Sequence, residues 1–157
     1  MKAEEFSDYR SGMHYYCLGC GGSRDIEELL YTCPDCDGVF ILEDTGFERL
    51  KKTSGAEWRK IFDALAASKV PAYKGIFRYY ELMAPVLEED DIVCLGEGHT
   101  PIIESPRGLA EMTGCATAFK NDGQNPSASF KDRGMACAFS YLRALIRKND
   151  WDEVLTV

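Results

Sequence analysis

Apolar residues recur at helical spacing in two stretches of this chain, and polar residues mark where each stretch begins. Four apolar residues share one face of the first stretch: Trp58, Ile61, Phe62 and Leu65. Ser54 and Glu57 stand three residues apart ahead of this face, which is the spacing of a capping box, and Pro71 interrupts the pattern. We therefore predict a helix that begins after Ser54 and packs on a larger body.

The second stretch is the longest amphipathic pattern in the sequence. Its apolar face is formed by Met135, Ala138, Phe139, Leu142 and Leu145. Ser129 and Asp132 give the capping-box spacing again, so we predict a long helix whose first turn is closed by this pair.

Shorter elements fill the rest of the chain. A helix over residues 76–83 has one apolar face, made of Ile76, Tyr79, Tyr80 and Met83, and Pro85 ends it. Residues 94–106 indicate a strand-like start and a turn, residues 108–114 a helix that ends at Gly114, and residues 115–120 and 153–157 two strands. The second half thus alternates strand, helix and strand, as parallel α/β domains do.

Charge and hydropathy restrict the classes of protein to which the chain can belong. Its formal net charge of −8 repels phosphate backbones, so we expect no nucleic-acid partner. No apolar run reaches the roughly 18 residues of a membrane helix, and the first residues lack the apolar region of a secretory signal. We therefore expect a cytoplasmic protein with no membrane partner.

Cysteine spacing predicts a metal site near the N-terminus. Two C-x-x-C pairs, Cys17 with Cys20 and Cys33 with Cys36, are separated by a spacing typical of zinc ribbons. Small or turn-forming residues flank both pairs: Gly19, Gly21, Gly22, Pro34, Asp37 and Gly38. We predict a zinc ribbon over residues 13–44, with the four cysteines as ligands of a structural zinc; a redox-active or a metal-free module is the alternative.

Three further cysteines, Cys94, Cys115 and Cys137, lie among apolar or small residues and are expected to be buried thiols without chemistry. His14 is expected at the surface rather than among the ligands. Many zinc ribbons bind nucleic acid, but this one carries one arginine, Arg24, against seven carboxylates. The charge favours a structural cap or a protein contact.

Lys131 lies in the first turn of the predicted long helix. There the helix dipole disfavours the ammonium form and so favours a neutral amine, the form that attacks an aldehyde. Asp132 and Arg133 act on this lysine in opposite directions. On this feature alone, an exposed lysine at a capped helix start explains the pattern better than a catalytic lysine does.

Three segments in order extend the pattern: LGEGHTP at residues 95–101, FKND at 119–122 and NPSASFKDRG at 125–134. Together they resemble the fold-type-II enzymes that use pyridoxal 5′-phosphate (PLP), and among these the threonine synthase family. Residues 75–82, GIFRYYEL, are also similar to the family's segment ahead of LGEG, and one branch of the family carries an N-terminal cysteine ribbon. Dehydratases and cysteine synthases share a lysine loop but usually lack the LGEG segment.

The resemblance implies a fold and an activity. The fold class is α/β, with the small zinc ribbon followed by helices and by a parallel-sheet domain over residues 45–157, incomplete at its end. The activity is the conversion of O-phosphohomoserine and water to threonine and phosphate, with a small amino-acid substrate. Lys131 would be the catalytic residue that bonds PLP, and Phe130 and Asn125 would line the cofactor pocket.

The resemblance is not complete. His99 replaces the family's usual asparagine, Ser127 a common threonine and Ala128 a common glycine. The family's cofactor-ring and phosphate loops would lie beyond residue 157, so we expect an N-terminal fragment that is inactive alone. A strand at the end of the chain is consistent with a homodimer. Another PLP lyase or dehydratase, or a non-catalytic zinc-ribbon binding module, stays open as an alternative.

Overall fold

The chain begins with a small antiparallel sheet. The structure is a computed structural model that describes residues 12–83 and 86–154. Strands β1 (Met13–Cys17), β2 (Ser23–Asp25) and β3 (Phe40–Asp44) form the sheet with β1 in its centre, and a one-turn helix, α1 (Phe47–Leu50), follows. Few residues of this sheet are buried, so its apolar contacts alone cannot fix its structure.

The first predicted helix is confirmed, together with its capping box. Helix α2 (Gly55–Ala67) begins after Ser54, whose Oγ accepts the N–H of Glu57 at 3.3 Å. The N–H of Ser54 donates in turn to the Glu57 carboxylate at 2.9 Å. Leu65 is the fully buried residue of the predicted face. Pro71 opens a 3-10 helix, Pro71–Lys74, three residues after the cap of α2.

The helix predicted over residues 76–83 begins with a different geometry. A 3-10 helix, Ile76–Tyr79, precedes α3 (Tyr80–Met83). The predicted face is only partly buried: Tyr80 is buried as predicted, but Phe77 and Glu81 are buried as well, whereas Tyr79 is 40% exposed. A 3-10 turn holds three residues rather than 3.6, so it rotates the buried face away from the α-helical pattern. Pro85, the predicted end, lies outside the described residues.

The long helix is present, but its buried face is rotated from the predicted one, and of the predicted residues only Leu145 is fully buried. Helix α5 (Lys131–Asn149) buries small residues and one leucine: Ala136, Ser140, Ala144 and Leu145. Met135 and Phe139, both on the predicted face, are 44% and 39% exposed. The small side chains let a neighbouring segment approach, and the Val93 N–H donates to Ser140 Oγ at 2.8 Å.

Between these helices lies a two-stranded sheet. Strands β4 (Ile102–Glu104) and β5 (Ala118–Lys120) pair antiparallel, and helix α4 (Arg107–Thr113) connects them. Helix α4 ends, as predicted, at Gly114 in the left-handed conformation (φ 69°).

The fold is thus mixed helix and strand, but both sheets of the described residues are antiparallel. Residues 92–95 form no strand, and residues 155–157 of the predicted last strand, with the dimer edge placed there, lie outside the described residues. The parallel domain therefore stays a prediction. Within residues 12–83 and 86–154, no helix is long and apolar enough to cross a membrane.

The apolar core lies where α2, the two 3-10 helices and α5 meet. It contains Leu65, Tyr73, Phe77, Tyr80, Leu87, Ile92, Ala136 and Ala144. The ribbon contacts the far end of α5, where Lys148 forms an ion pair with Glu27 of the loop after β2. The core thus holds α5 along its length while the ribbon holds its last turn.

The three remaining cysteines are less buried than predicted. Cys115 is exposed, and Cys94 and Cys137 are half-buried. Cys115 directly follows Gly114, so it lies in the loop that leaves α4 rather than in the core. The small residues around Cys115 therefore mark a turn rather than a buried position.

One ion pair closes the core beside α5. Asp91 is 1% exposed, and its two carboxylate oxygens accept from Nε and Nη2 of Arg147 at 2.9 and 2.6 Å. Hydrogen bonding to Arg147 lowers the pKa of Asp91 against the opposing effect of burial. Asp91 is therefore held charged by one neighbour on α5.

We expect Arg147→Met to lower the free energy of unfolding at pH 7 by about 2 kcal/mol, because it leaves a buried carboxylate without its cation. The loss stays modest because Arg147 itself is half exposed. The folded-state pKa of Asp91 is below its unfolded value of about 3.9, so the stabilisation is present above that pH and is lost as the pH falls through the folded pKa. Urea unfolding measures both effects.

Arg107→Met is the matched control, since Arg107 is 93% exposed and pairs with Glu111 on α4. It should change the stability by less than about 0.5 kcal/mol. A deficit of Arg147→Met that does not shrink toward acid pH would contradict the role given to this pair.

Candidate functional site

Four cysteine sulfurs converge at one end of the three-stranded sheet. The Sγ atoms of Cys17, Cys20, Cys33 and Cys36 all lie within 4.8 Å of one another. Cys17 and Cys36 are 3.5 Å apart, and Cys20 and Cys33 are 3.7 Å apart. Zinc–sulfur bonds of about 2.3 Å place tetrahedral sulfurs about 3.8 Å apart. The spacing of the four thiols therefore fits one tetrahedral zinc with all four positions filled.

The two C-x-x-C pairs occupy matching turns. The N–H of Cys17 donates to Gly22 O and the N–H of Cys33 to Gly38 O, each at 2.9 Å. Inside these turns the N–H groups of Gly21 and Asp37 donate back to the carbonyls of Cys17 and Cys33. Gly21 and Asp37 are both left-handed, with φ of 75° and 57°. The repeated geometry is what brings the two pairs face to face.

Backbone amides and crowding make the thiols of Cys17 and Cys36 unequal acids. The N–H of Cys20, with that of Gly19, lowers the pKa of Cys17 to about 6. The Gly38 amide lowers the pKa of Cys36, but hydrogen bonding with Cys17 and burial outweigh it and raise that pKa to about 12. The Cys17 thiolate thus forms readily, and its interaction with Cys36 disfavours ionisation of the Cys36 thiol. A bound cation removes this competition by taking the place of the remaining protons.

Gly38 leaves the space that the sulfurs occupy. A Cβ at this position would lie 2.8 Å from Cys17 Sγ and 3.1 Å from Cys36 Sγ. Gly22, in the first turn, has only an ordinary contact of 3.4 Å with Cys20 Sγ. His14 lies on β1, where its Nε2 is 3.1 Å from Glu43, and it is not part of the four-sulfur cluster.

The lysine loop leads into α5. Lys131 is the first residue of this helix and is exposed, and its backbone N–H donates to Ser129 Oγ at 3.2 Å. The predicted Ser129–Asp132 capping box is wrong. Asp132 instead accepts the N–H of Ser127 at 2.8 Å and also its hydroxyl, and this bonding lowers the pKa of Asp132. Asp132 therefore stabilises the loop before α5 and does not cap the helix.

A polar network joins the three sequence motifs. Arg133 Nη2 donates to Thr100 Oγ1 at 3.0 Å and to Asp122 Oδ1 at 2.9 Å. Thr100 Oγ1 donates to the same Asp122 oxygen at 2.7 Å, and Lys120 Nζ donates to the carbonyl of Thr100. Thr100 lies in the first motif, Lys120 and Asp122 in the second, and Arg133 in the third, so the network sets the position of the lysine loop.

Buried acceptors hold the LGEG segment. Glu97 is 1% exposed, and its oxygens accept the N–H groups of Ile76 and Leu95, both at 2.8 Å. Gly75 makes room for it, because a Cβ there would lie 1.9 Å from Glu97 Oε1. Asn125 accepts the Gly98 N–H at 3.0 Å and donates to the carbonyl of Asp122 at 2.9 Å.

The sequence-predicted residues fall into two groups. The four cysteines come together as one cluster, while Asn125, Phe130 and Lys131 lie along one loop. Asn125 is buried and bonded to backbone at both ends, and Phe130 is 65% exposed. The sequence analysis assigned no structural role in the site to five residues that hold its loops in position: Glu97, Thr100, Asp122, Asp132 and Arg133. Their signal was present, since all five stand inside the quoted motifs.

Two departures from the family pattern coincide with an unusual backbone. His99 and Ala128 have positive φ, 50° and 58°. The residues usual at these positions, asparagine and glycine, are those that tolerate left-handed conformation best. Ala128 therefore carries a conformational penalty in the loop that positions Lys131.

Comparison with known proteins finds threonine synthases that are similar to this chain. The chain is 37% identical over 126 residues to the threonine synthase of Methanocaldococcus jannaschii and 32% identical over 129 residues to that of Methanosarcina acetivorans. These matches cover 76% and 78% of this chain but 26% of each relative. The threonine synthase of Mycobacterium leprae is 46% identical over 66 residues, 42% of this chain and 18% of its own length.

The chain thus spans about a quarter of the length of the first two curated relatives that it matches. No protein-family model matches it. The resemblance predicted from the motifs is confirmed at the level of sequence.

We expect Gly38→Ala to weaken zinc binding at least about tenfold, because its methyl group would displace two ligand sulfurs. Competition with a chromophoric chelator measures the affinity. Gly22→Ala is the matched control from the other turn and should bind zinc as the parent chain does. Equal affinities of the two variants would contradict the four-sulfur geometry.

We expect Ala128→Gly to raise the free energy of unfolding by about 0.5 kcal/mol, because it removes a left-handed alanine costing about 1–2 kcal/mol and adds the smaller entropic cost of glycine. Ala138→Gly, at an exposed position inside α5, should lower it by about 1 kcal/mol. Urea unfolding compares the two. A loss of stability in both variants would show that the positive φ of Ala128 carries no penalty.

Proposed function

We propose, on the similarity of this chain to threonine synthases over three quarters of its length, that it carries the zinc ribbon and the lysine-bearing part of a PLP-dependent threonine synthase. The reaction is the conversion of O-phosphohomoserine and water to threonine and phosphate. The observation that carries the proposal is the position of Lys131 at the first turn of α5, in a loop held by the network of Thr100, Asp122 and Arg133. Residues 45–157 are then part of a PLP domain, and residues 13–44 are the ribbon.

Lys131 has the features that the reaction requires of an amine. It is exposed, and among the described residues no hydrogen bond or ion pair holds its Nζ. It lies in the first turn of a 19-residue helix, directly after the loop that the network positions. An amine that a ligand can reach is able to form a Schiff base with an aldehyde. The side chain therefore fits covalent attachment of PLP.

The proposed roles follow from this placement. PLP, when bound, supplies an electron-withdrawing ring that stabilises negative charge next to the substrate's amino carbon. Lys131 would hold the cofactor through its amine and would move protons as general acid and base. Asn125 and Phe130 stand at the two ends of the segment before Lys131 and would line the cofactor pocket there. Zinc has a structural role, since four thiolates leave it no open position.

The order of the loop explains why the lysine is the reactive group. Asp132, the next residue, is engaged with Ser127, and Arg133 with Thr100 and Asp122. Neither neighbour forms an ion pair with Lys131 among the described residues. The loop thus separates the lysine from the charges nearest to it in sequence, which keeps its amine available.

The proposal predicts selective labelling of one lysine. When the chain is mixed with PLP and reduced with borohydride, the mass added by the cofactor should map to Lys131, and Lys131→Ala should lose that peptide signal. Mass spectrometry of the digested protein measures the site directly. The readout does not need turnover, so it applies to this chain as it is.

Lys60→Ala is the matched control, because Lys60 is an exposed helical lysine on α2. It should leave labelling at Lys131 unchanged. Labelling spread over surface lysines, with no preference for Lys131, would count against the cofactor site. Release of phosphate from O-phosphohomoserine by the gene product distinguishes the proposed reaction from dehydration of serine or threonine.

A further inference from the structure

The strand pair β4–β5 is exposed along its whole length. All residues of both strands are exposed, including the large apolar ones: Ile102 is 70% exposed, Ile103 46% and Phe119 49%. A sheet of two strands is only marginally stable, because each strand leaves one row of N–H and C=O groups without a partner in the sheet. The strand pair therefore presents an edge that a further strand would complete.

The hydrogen bonds within the pair identify the free groups of β4. The bonds to β5 come from odd-numbered positions, since the carbonyl of Pro101 accepts at 2.9 Å and the N–H of Ser105 donates at 3.0 Å. Backbone groups alternate in direction along a strand, so those of Ile102 and Glu104 point away from β5. Within the described part of the chain, the backbone of neither residue has a hydrogen-bond partner.

This free edge of β4 is complementary to itself. When two copies of a strand meet antiparallel around a two-fold axis at Ile103, the residue before the axis in one copy lies opposite the residue after it in the other. Ile102 of each copy then exchanges both of its backbone hydrogen bonds with Glu104 of the other. The two Ile103 side chains lie next to each other at the centre. Two copies thus form one continuous sheet in which every free group of the β4 edges is paired.

The local charge permits this contact. The formal net charge of −8 opposes the approach of two copies, but residues 101–121 carry Glu104 and Glu111 against Arg107 and Lys120 and are neutral as a unit. The edge of β5 is less suited to pairing, because lysine is the residue that most often protects a sheet edge and Lys120 lies on that strand. The charge pattern therefore favours a second copy as the partner and β4 as the contact edge.

We propose that two copies of this chain associate through their β4 edges, in an antiparallel register centred on Ile103. Pro101 and Pro106 flank the edge, and the pairing stays short because proline cannot donate to a strand ladder. We expect a dissociation constant in the micromolar range. This interface is distinct from the strand predicted at the end of the chain, and it does not depend on the proposed reaction.

Sedimentation velocity over a range of protein concentrations tests the proposal. We expect a monomer–dimer equilibrium that Glu104→Pro weakens at least about tenfold, because it removes an N–H that pairs only between copies. Glu104→Ala keeps this N–H and should associate as the parent chain does. Ala118→Pro is the matched control, since it removes an outward N–H from the other edge of the same sheet and should leave the dimer unchanged.

A charge at position 102 tests the register without a proline. Ile102 faces Glu104 of the second copy, so Ile102→Lys should strengthen the dimer about fivefold and Ile102→Glu should weaken it about as much. Within one chain Ile102 lies opposite Lys120, so an effect confined to the monomer would have the reverse order. Thermal unfolding of the dilute monomer measures that order separately and identifies any variant that has lost its fold.

Three results would overturn the proposal. The first is a parent chain that stays monomeric at millimolar concentration, and the second is a dimer that Ala118→Pro dissociates while Glu104→Pro does not. The third is a dimer that Ile102→Glu strengthens and Ile102→Lys weakens. Labelling of Lys131 by PLP does not involve the β4 edge, so a failure of this proposal is distinguishable from a failure of the proposed function.

Discussion

A buried backbone N–H needs an acceptor, and in this protein side chains supply it where regular structure does not. The segment after Asp91 forms no strand among the described residues, yet Ile92 is buried and the next two residues are half-buried. Its N–H groups are satisfied by Ser140 for Val93 and by Glu97 for Leu95. This requirement explains why several of the most buried residues are polar: Glu97, Asn125, Asp132 and Ser140. The lysine loop takes its shape from these acceptors.

Signals local in the sequence predicted the helices, whereas tertiary contacts decided which face of each helix is buried. The capping box of Ser54 and the left-handed Gly114 depend on neighbours in sequence, so the chain itself specifies them. The buried face of α5 depends on what approaches it, and the approach of Val93 selected Ser140 over the larger apolar residues. The hydrogen-bond partner predicted for Asp132 was wrong for the same reason. A side-chain acceptor near a helix start can bond to the loop before the helix as well as to the helix itself.

The two parts of the candidate site differ in how far the sequence determines them. The four-cysteine cluster follows from two short motifs whose turns repeat, so spacing alone predicted the residues that come together. The polar network draws Thr100, Asp122 and Arg133 from three motifs, and only the folded chain brings them together. Each of these residues alone has the pattern of an ordinary surface residue. A cluster of this kind has no local signature.

The length of α5 has a consequence for the contacts at its two ends. At 19 residues the helix is about 28 Å long, with Lys131 at its first residue and the ion pair to the ribbon at Lys148 in its last turn. A mutation of Glu27 therefore acts at the end of the helix that is remote from Lys131. The geometry of the lysine loop is then left to the hydrogen bonds of Thr100, Asp122 and Arg133 at the other end.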